Sequence, residues 1–190
     1  MTRRPDLPLI AWGEAIRAAR ARRQRLRFRF AIAACGIAAL GLTMIAPPAP
    51  RLVWNVSASA PVGLYSVTPG AALEPSDMVV AWTPQPWRAL AARRHYLPAN
   101  VPLVKRVVAV GGDRICASGE EVSINGVPAV TRLARDARGR ILPWWEGCVA
   151  IGKGEAFLLM ANADASFDGR YFGVTRRRDI VGKARLLWAR

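Results

Sequence analysis

The sequence predicts a mainly β domain carried behind one N-terminal transmembrane helix. Two observations lead there. Residues 30–46, FAIAACGIAALGLTMIA, form an uncharged apolar run. The chain beyond it breaks into short runs rich in β-branched and aromatic residues, separated by Gly, Pro, Asn and Asp. A length of 190 residues suits one globular domain with an appendage.

The first 29 residues form a basic arm, nine Arg against Asp6 and Glu14, a local charge of +7 out of a net +15. Such an excess suggests nucleic acid. Its concentration beside an apolar run instead makes it a topology signal, and no nucleic-acid partner is expected. Residues 16–27, IRAARARRQRLR, can continue as a helix along an anionic leaflet. The 17-residue run reaches about 26 Å at 1.5 Å per residue, near the short limit for crossing a bilayer. A cleaved signal peptide shares the basic and apolar regions, but the exit APPAPR puts prolines where a small-x-small cleavage site is needed. An uncleaved single-pass anchor over 30–46 is therefore expected, with the lipid bilayer as partner. Arg-rich flanks stay inside, so the arm is expected in the cytoplasm and residues 51–190 in the periplasm, the anchor lying in a bacterial inner membrane.

Within 51–190 the strand candidates are 63–67, 77–82, 101–110, 121–126, 156–161 and 179–188, with a short helix over 86–94 after Pro86. Cys35 lies in the apolar run as a small packing residue. Cys116 and Cys148 lie in the exported part, where an oxidising compartment favours a disulfide; two separate buried thiols are the alternative. There is no CxxC spacing or His cluster, the lone His95 reads as a loop residue, and no metal or cofactor is expected. Trp87 and the pair Trp144–Trp145 fall in loop-like stretches that suit a membrane interface, while Trp54 and Trp82 suit core packing.

Two stretches carry chemistry. NVSASAPVGLY, residues 55–65, reads either as a surface strand entering a turn or as a nucleophile on a fixed backbone. VPLVKRVVAVGGD, residues 101–113, sets one amine, Lys105, in an apolar strand on the same face as Leu103 and Val107, with Arg106 on the other. Lys105 is then either an edge residue that snorkels or a buried amine whose pKa desolvation lowers, which frees it to act as a general base. Ser with Lys is an established alternative to Ser-His-Asp, and a single His in the chain argues against the latter.

Ser59-Ala60-Pro61 after an anchor, LVKRVVAVGGDRI, EVSINGVP and the box NADASFDGRYFG (162–173) together resemble the Ser/Lys signal peptidase I superfamily. The compact SAPVGLY, RRHYLPANVPLVKRVVAVGGD and SFDGRYFG are similar to its TraF proteins of conjugative plasmid transfer, over roughly residues 52–187. The resemblance implies a signal peptidase I-like β-sheet catalytic domain and a serine endopeptidase. Ser59 would be the nucleophile and Lys105 the general base. Ser57 would be the second oxyanion donor beside the Ser59 N–H, reached because residues 57 and 59 share a face of a strand. Ser166 would orient the amine, and Asp168 with Arg170 would form an ion pair beneath it. Gly169 departs from the family's usual Ser and Ala163 from a common Arg. The implied substrate is a pilin precursor with small side chains at the cut, released by hydrolysis or by cyclisation, with mating-pair formation components as further partners in type IV secretion. A general signal peptidase or a non-catalytic anchored assembly factor are the competing readings.

Overall fold

The computed structural model describes residues 8–46 and 49–190; the first seven residues of the basic arm and Pro47–Pro48 of the APPAPR exit lie outside the described residues. The chain divides into two units, Met1–Pro48 and Ala49–Arg190. In the first unit, Pro8–Ile45 is one 38-residue helix, α1. Proline is tolerated in a first helical turn, and Ala and Arg, the commonest residues of the rest of the helix, are strong helix formers. Arm and apolar run are thus continuous backbone, and the boundary at residue 30 is one of composition. The stretch Ala11–Ile45 is long and apolar enough to cross a membrane, and side chains such as Phe30, Ile37 and Leu40 are exposed.

The second unit is built mainly from strands. A six-stranded antiparallel sheet contains β1 (Leu52–Asn55), β2 (Gly63–Thr68), β3 (Met78–Ala81), β4 (Leu103–Val110), β9 (Ala156–Leu159) and β10 (Ile180–Ala189), in the order β1-β2-β10-β3-β4-β9. A four-stranded antiparallel sheet, in the order β7-β6-β5-β8, contains β5 (Arg114–Ser118), β6 (Glu121–Ile124), β7 (Val127–Thr131) and β8 (Gly147–Ala150). Helix α2 spans Trp87–Arg93 and α3 spans Gly169–Phe172.

Strand β4 lies between β3 and the edge strand β9 and contributes apolar side chains from both of its faces. Leu103 and Val107 join one core cluster with Val79, Ala81 and Leu158, and Val104 joins another with Tyr65, Val67 and Val80. The far end of β4 passes into the second sheet, where Ala109 packs with Ile115, Ala117, Val122 and Phe157. Asp113 stabilises the turn between the sheets by accepting hydrogen bonds from the Val110 N–H (2.8 Å) and the Asn125 carboxamide (2.8 Å). Cys116 and Cys148 face each other in the β5–β8 register and are bridged, with sulfurs 2.07 Å apart.

Gly63 is required by a close approach. A β-carbon there would stand 2.0 Å from the Trp188 carbonyl oxygen, at the point where the β2–β10 register shifts.

Trp54, Trp87 and Trp145 are placed differently from the sequence expectation, while Trp144 is exposed. Trp54 is 43% exposed and lies against Trp188, ring centroids 5.5 Å apart. Trp87 instead packs onto a core cluster. Trp145 donates its indole N–H to Gly169 O (3.2 Å), and Trp144 lies under the buried Arg132 guanidinium, 4.4 Å from the ring centroid. The reason is local: Trp87 begins a helix that covers the sheet, whereas Trp54 sits on the edge strand β1 with its outward face free.

Candidate active site

Strand β4 presents Lys105 toward a cleft of about 330 Å³, walled among others by Val56, Val104, Tyr96, Leu133, Phe167 and Tyr171. The side chain is only 4% exposed, so the snorkelling alternative does not apply. Its Nζ donates to Ser59 Oγ at 2.8 Å and to Ser166 Oγ at 2.7 Å. Burial pushes the Lys105 pKa down; the Asp168 carboxylate opposes this, the Arg170 guanidinium adds to it, and the amine is brought to about 8 from its ordinary 10.5. At neutral pH roughly a tenth of such amines are unprotonated. That fraction can accept a proton from a neighbouring hydroxyl.

Ser57 and Ser59 do not lie on a strand. The loop 56–62 connects Asn55 to Gly63, which are paired across β1 and β2, and both serines sit in it, with the Ala60 N–H bonded to Ser57 O at 3.3 Å. The expected shared strand face is therefore corrected to a turn: Pro61 and the close approach at Gly63 end the strand geometry. The turn nevertheless brings the two hydroxyls to 2.9 Å of each other and the Ser59 N–H to 3.5 Å from Ser57 Oγ. At rest the Ser59 N–H donates to Ser57 Oγ, so an oxygen that takes both the N–H and the Ser57 hydroxyl proton replaces these resting contacts.

Asn55 was not singled out in the sequence. Its carboxamide is buried and fills the inside of the loop, donating to the carbonyls of Ser57 (3.0 Å), Ala60 (3.1 Å) and Pro61 (3.0 Å) and accepting the Ser57 N–H (3.1 Å). The readable signal was an Asn two residues before Ser57, the spacing of an Asx-turn.

The SFDGR box forms the floor. Asp168 caps α3 by accepting the Arg170 N–H (3.2 Å), and pairs with the Arg170 guanidinium through Nε (2.8 Å) and Nη2 (3.2 Å). Both residues are fully buried. Arg170 also donates to Met160 O (3.0 Å) and Asp168 accepts the Met160 N–H (3.1 Å), so the pair fixes the segment between β9 and Ser166. Satisfying both charges with backbone groups is what makes such a buried pair tolerable. The Gly at 169 is explained by packing: a β-carbon would meet the Phe157 ring at 2.7 Å and Leu158 O at 2.8 Å.

The opposite wall, residues 132–142, also went unforeseen. It is latched to the chain after α2: Tyr96 donates its hydroxyl hydrogen bond to Asp136, Arg140 Nε pairs with Asp136 (2.7 Å), and Arg94 donates to Ile141 O (2.7 Å). The Tyr171 hydroxyl accepts the Leu133 N–H at 3.0 Å. Partial burial opposes ionisation of Asp136, but hydrogen bonds from Tyr96, Arg140 and Arg138 prevail and hold its pKa well below the carboxylate range.

Comparison with known proteins places the chain in a family. The model of the family described as "Signal peptidase, peptidase S26" matches residues 24–189, and the chain belongs to that family. Two plasmid transfer proteins TraF from Escherichia coli are similar to it. One is 33% identical, the match covering 67% of this chain and 77% of that protein; the other is 32% identical, covering 66% and 76%. A crystal structure of a signal peptidase I from Enterococcus faecalis V583 is 18% identical and matches with a TM-score of 0.34, covering 60% of this chain and 97% of that one.

Proposed function

We propose that the chain is a membrane-anchored serine endopeptidase working through a Ser/Lys pair. The observation that carries this reading is the buried Lys105 amine held between two hydroxyls, 2.8 Å from Ser59 Oγ and 2.7 Å from Ser166 Oγ. Ser59 Oγ attacks the scissile carbonyl as neutral Lys105 takes its proton. The carbonyl oxygen, now negative, is held by the Ser59 N–H and the Ser57 hydroxyl. Lys105 then protonates the departing amine, which leaves Ser59 acylated, and an incoming nucleophile releases the acyl group. Ser166 keeps the amine aimed at Ser59, while Asp168 and Arg170 hold the floor on which Ser166 stands.

The substrate we infer is a pilin precursor in conjugative transfer, with mating-pair formation components as neighbours. Support comes from the relatives named as plasmid transfer proteins. Helix α1 is the anchor in this reading, its Arg-rich start in the cytoplasm and Ala49–Arg190 in the periplasm, by the positive-inside rule. The exposed Trp54–Trp188 pair supports contact with lipid.

The test is mass spectrometry of a pilin precursor co-expressed with the wild-type chain, Ser59→Ala or Lys105→Ala. Trimming by the wild type and by neither variant is expected, and loss of one further water identifies cyclisation. Normal trimming in both variants would end the Ser/Lys reading. An unchanged pilin beside altered leader peptides on many exported proteins would replace the substrate with that of a general signal peptidase.

A further inference from the structure

Resting on the reading of Ser59 as nucleophile, we propose that Asn55 is the positioning residue of the oxyanion site, acting through Ser57. The seven residues 56–62 have no strand partner to fix them, and one carboxamide stands in for the missing ladder. Its oxygen accepts the Ser57 N–H at 3.1 Å and its nitrogen donates to Ser57 O at 3.0 Å, so the backbone of Ser57 is gripped on both sides. The same nitrogen reaches Ala60 O and Pro61 O, tying the start of the loop to its end across Ser59.

The chemistry requires this grip. In the resting arrangement the Ser57 hydroxyl shares a hydrogen bond with Ser59 Oγ at 2.9 Å. During attack it must turn its proton toward the carbonyl oxygen while its own oxygen stays beside the Ser59 N–H, 3.5 Å away. Oxyanion donors accelerate reaction only when already in place, because moving them at the moment of reaction consumes the gain. Ser57 is exposed and no core packing holds it. Its position is set by its backbone, and Asn55 bonds both polar groups of that backbone.

Asparagine suits the role because it offers one acceptor and two donors in one plane. Aspartate has the same shape but would aim a carboxylate at three carbonyls. Alanine would strip the loop of its internal partner. Other bonds, the Ala60 N–H to Ser57 O at 3.3 Å and the Tyr65 hydroxyl to Pro61 O at 2.8 Å, remain to keep the loop closed.

The experiment is a double-mutant cycle on the full-length chain in detergent micelles, reading kcat and KM on a precursor peptide for Asn55→Ala, Ser57→Ala and the pair. Expected is a fall in kcat of about tenfold or more for Asn55→Ala with KM nearly unchanged, and a further fall within about threefold when Asn55→Ala is added to Ser57→Ala. Full additivity of the two losses, an effect confined to KM, or an unchanged kcat would each overturn the proposal. If Asn55→Ala does not fold by circular dichroism, Asn55→Asp is carried through the same cycle with the same outcomes. Ser59→Ala, run in parallel, must be inactive; activity there would instead sink the nucleophile assignment and is scored separately.

Discussion

Lys105 Nζ and Ser59 Oγ stand 2.8 Å apart although 46 residues separate them in the chain. The contact joins strand β4 to the loop at the opposite edge of the sheet, and it is made by an amine that is 4% exposed. Because burial brings the pKa of that amine to about 8, the activity should track its deprotonation. In the free enzyme, kcat/KM is expected to rise with pH through an apparent pKa near 8 and level off above it. A profile flat between pH 6 and 9 would exclude Lys105 as the base.

The same shift has a stability sign. Lys105 titrates near 8 in the folded chain and near 10.5 when unfolded, so between those values the unfolded chain binds more protons and stability rises with pH. Below about pH 8 the penalty of the buried ammonium is present in full, roughly 3 kcal/mol at 1.36 kcal/mol per pK unit. Lys105→Met should therefore abolish processing while raising the melting temperature at pH 7, and the gain should shrink by pH 10.5. A variant that melts lower than wild type at pH 7 would contradict the burial argument.

Asp168 lies on both sides of this balance. Its charge raises the Lys105 pKa and its carboxylate pairs with buried Arg170. Asp168→Asn should move the acid limb of the kcat/KM profile to lower pH. It should also lower stability by about 3–5 kcal/mol, since Arg170 would be left buried without its counter-charge. Thermal melts and the pH profile read the two effects separately. An acid limb that stays put or moves to higher pH would remove Asp168 from the electrostatics of the amine.

The sequence made the two reacting groups legible because both lie in short patterns whose residue types are unusual for their place: an amine amid Leu103, Val104 and Val107, and closely spaced serines next to Pro61. Strands β2, β3, β4, β6, β9 and β10 were readable from apolar runs. Strands β1, β5, β7 and β8 were not. VPAVT, in β7, carries a proline on a sheet edge and is held by pairing with β6; GCVA, in β8, opens with glycine, is exposed throughout, and is held by pairing and by the Cys116–Cys148 bridge to β5. The Tyr96–Asp136 latch joins residues 40 apart through polar side chains with no periodic signal. The shared strand face assigned to Ser57 and Ser59 failed for a related reason: the Asn55 carboxamide replaces the ladder there, and side-chain substitution for backbone pairing leaves alternation looking the same.

The departure at Gly169 can be tested as a packing statement. With Phe157 2.7 Å from where a β-carbon would be, Gly169→Ser should destabilise the chain by about 1–3 kcal/mol, as overpacking does. Trimming the neighbour should recover part of this, so Phe157→Leu combined with Gly169→Ser should lose less stability than the two single losses added together. Losses that simply add would mean that the ring is not what excludes the serine.

The aromatic pair on the sheet edge gives a prediction for the bilayer. Trp54 and Trp188 are 43% and 59% exposed, and Leu52, Val56 and Leu187 beside them on β1 and β10 or just after them are exposed as well. An apolar surface of this kind, with indoles at its centre, in a chain that also carries an anchor-length helix, matches the chemistry of a membrane interface, where an aromatic body and a polar N–H are both satisfied. In proteoliposomes containing the full-length chain, lipids brominated near the headgroup should quench tryptophan fluorescence. Trp54→Phe combined with Trp188→Phe should remove a larger share of that quenching than Trp144→Phe combined with Trp145→Phe, because Arg132 covers the Trp144 ring and Trp145 is bonded to Gly169 O. Equal losses from the two double variants would show that lipid does not select this edge of the sheet.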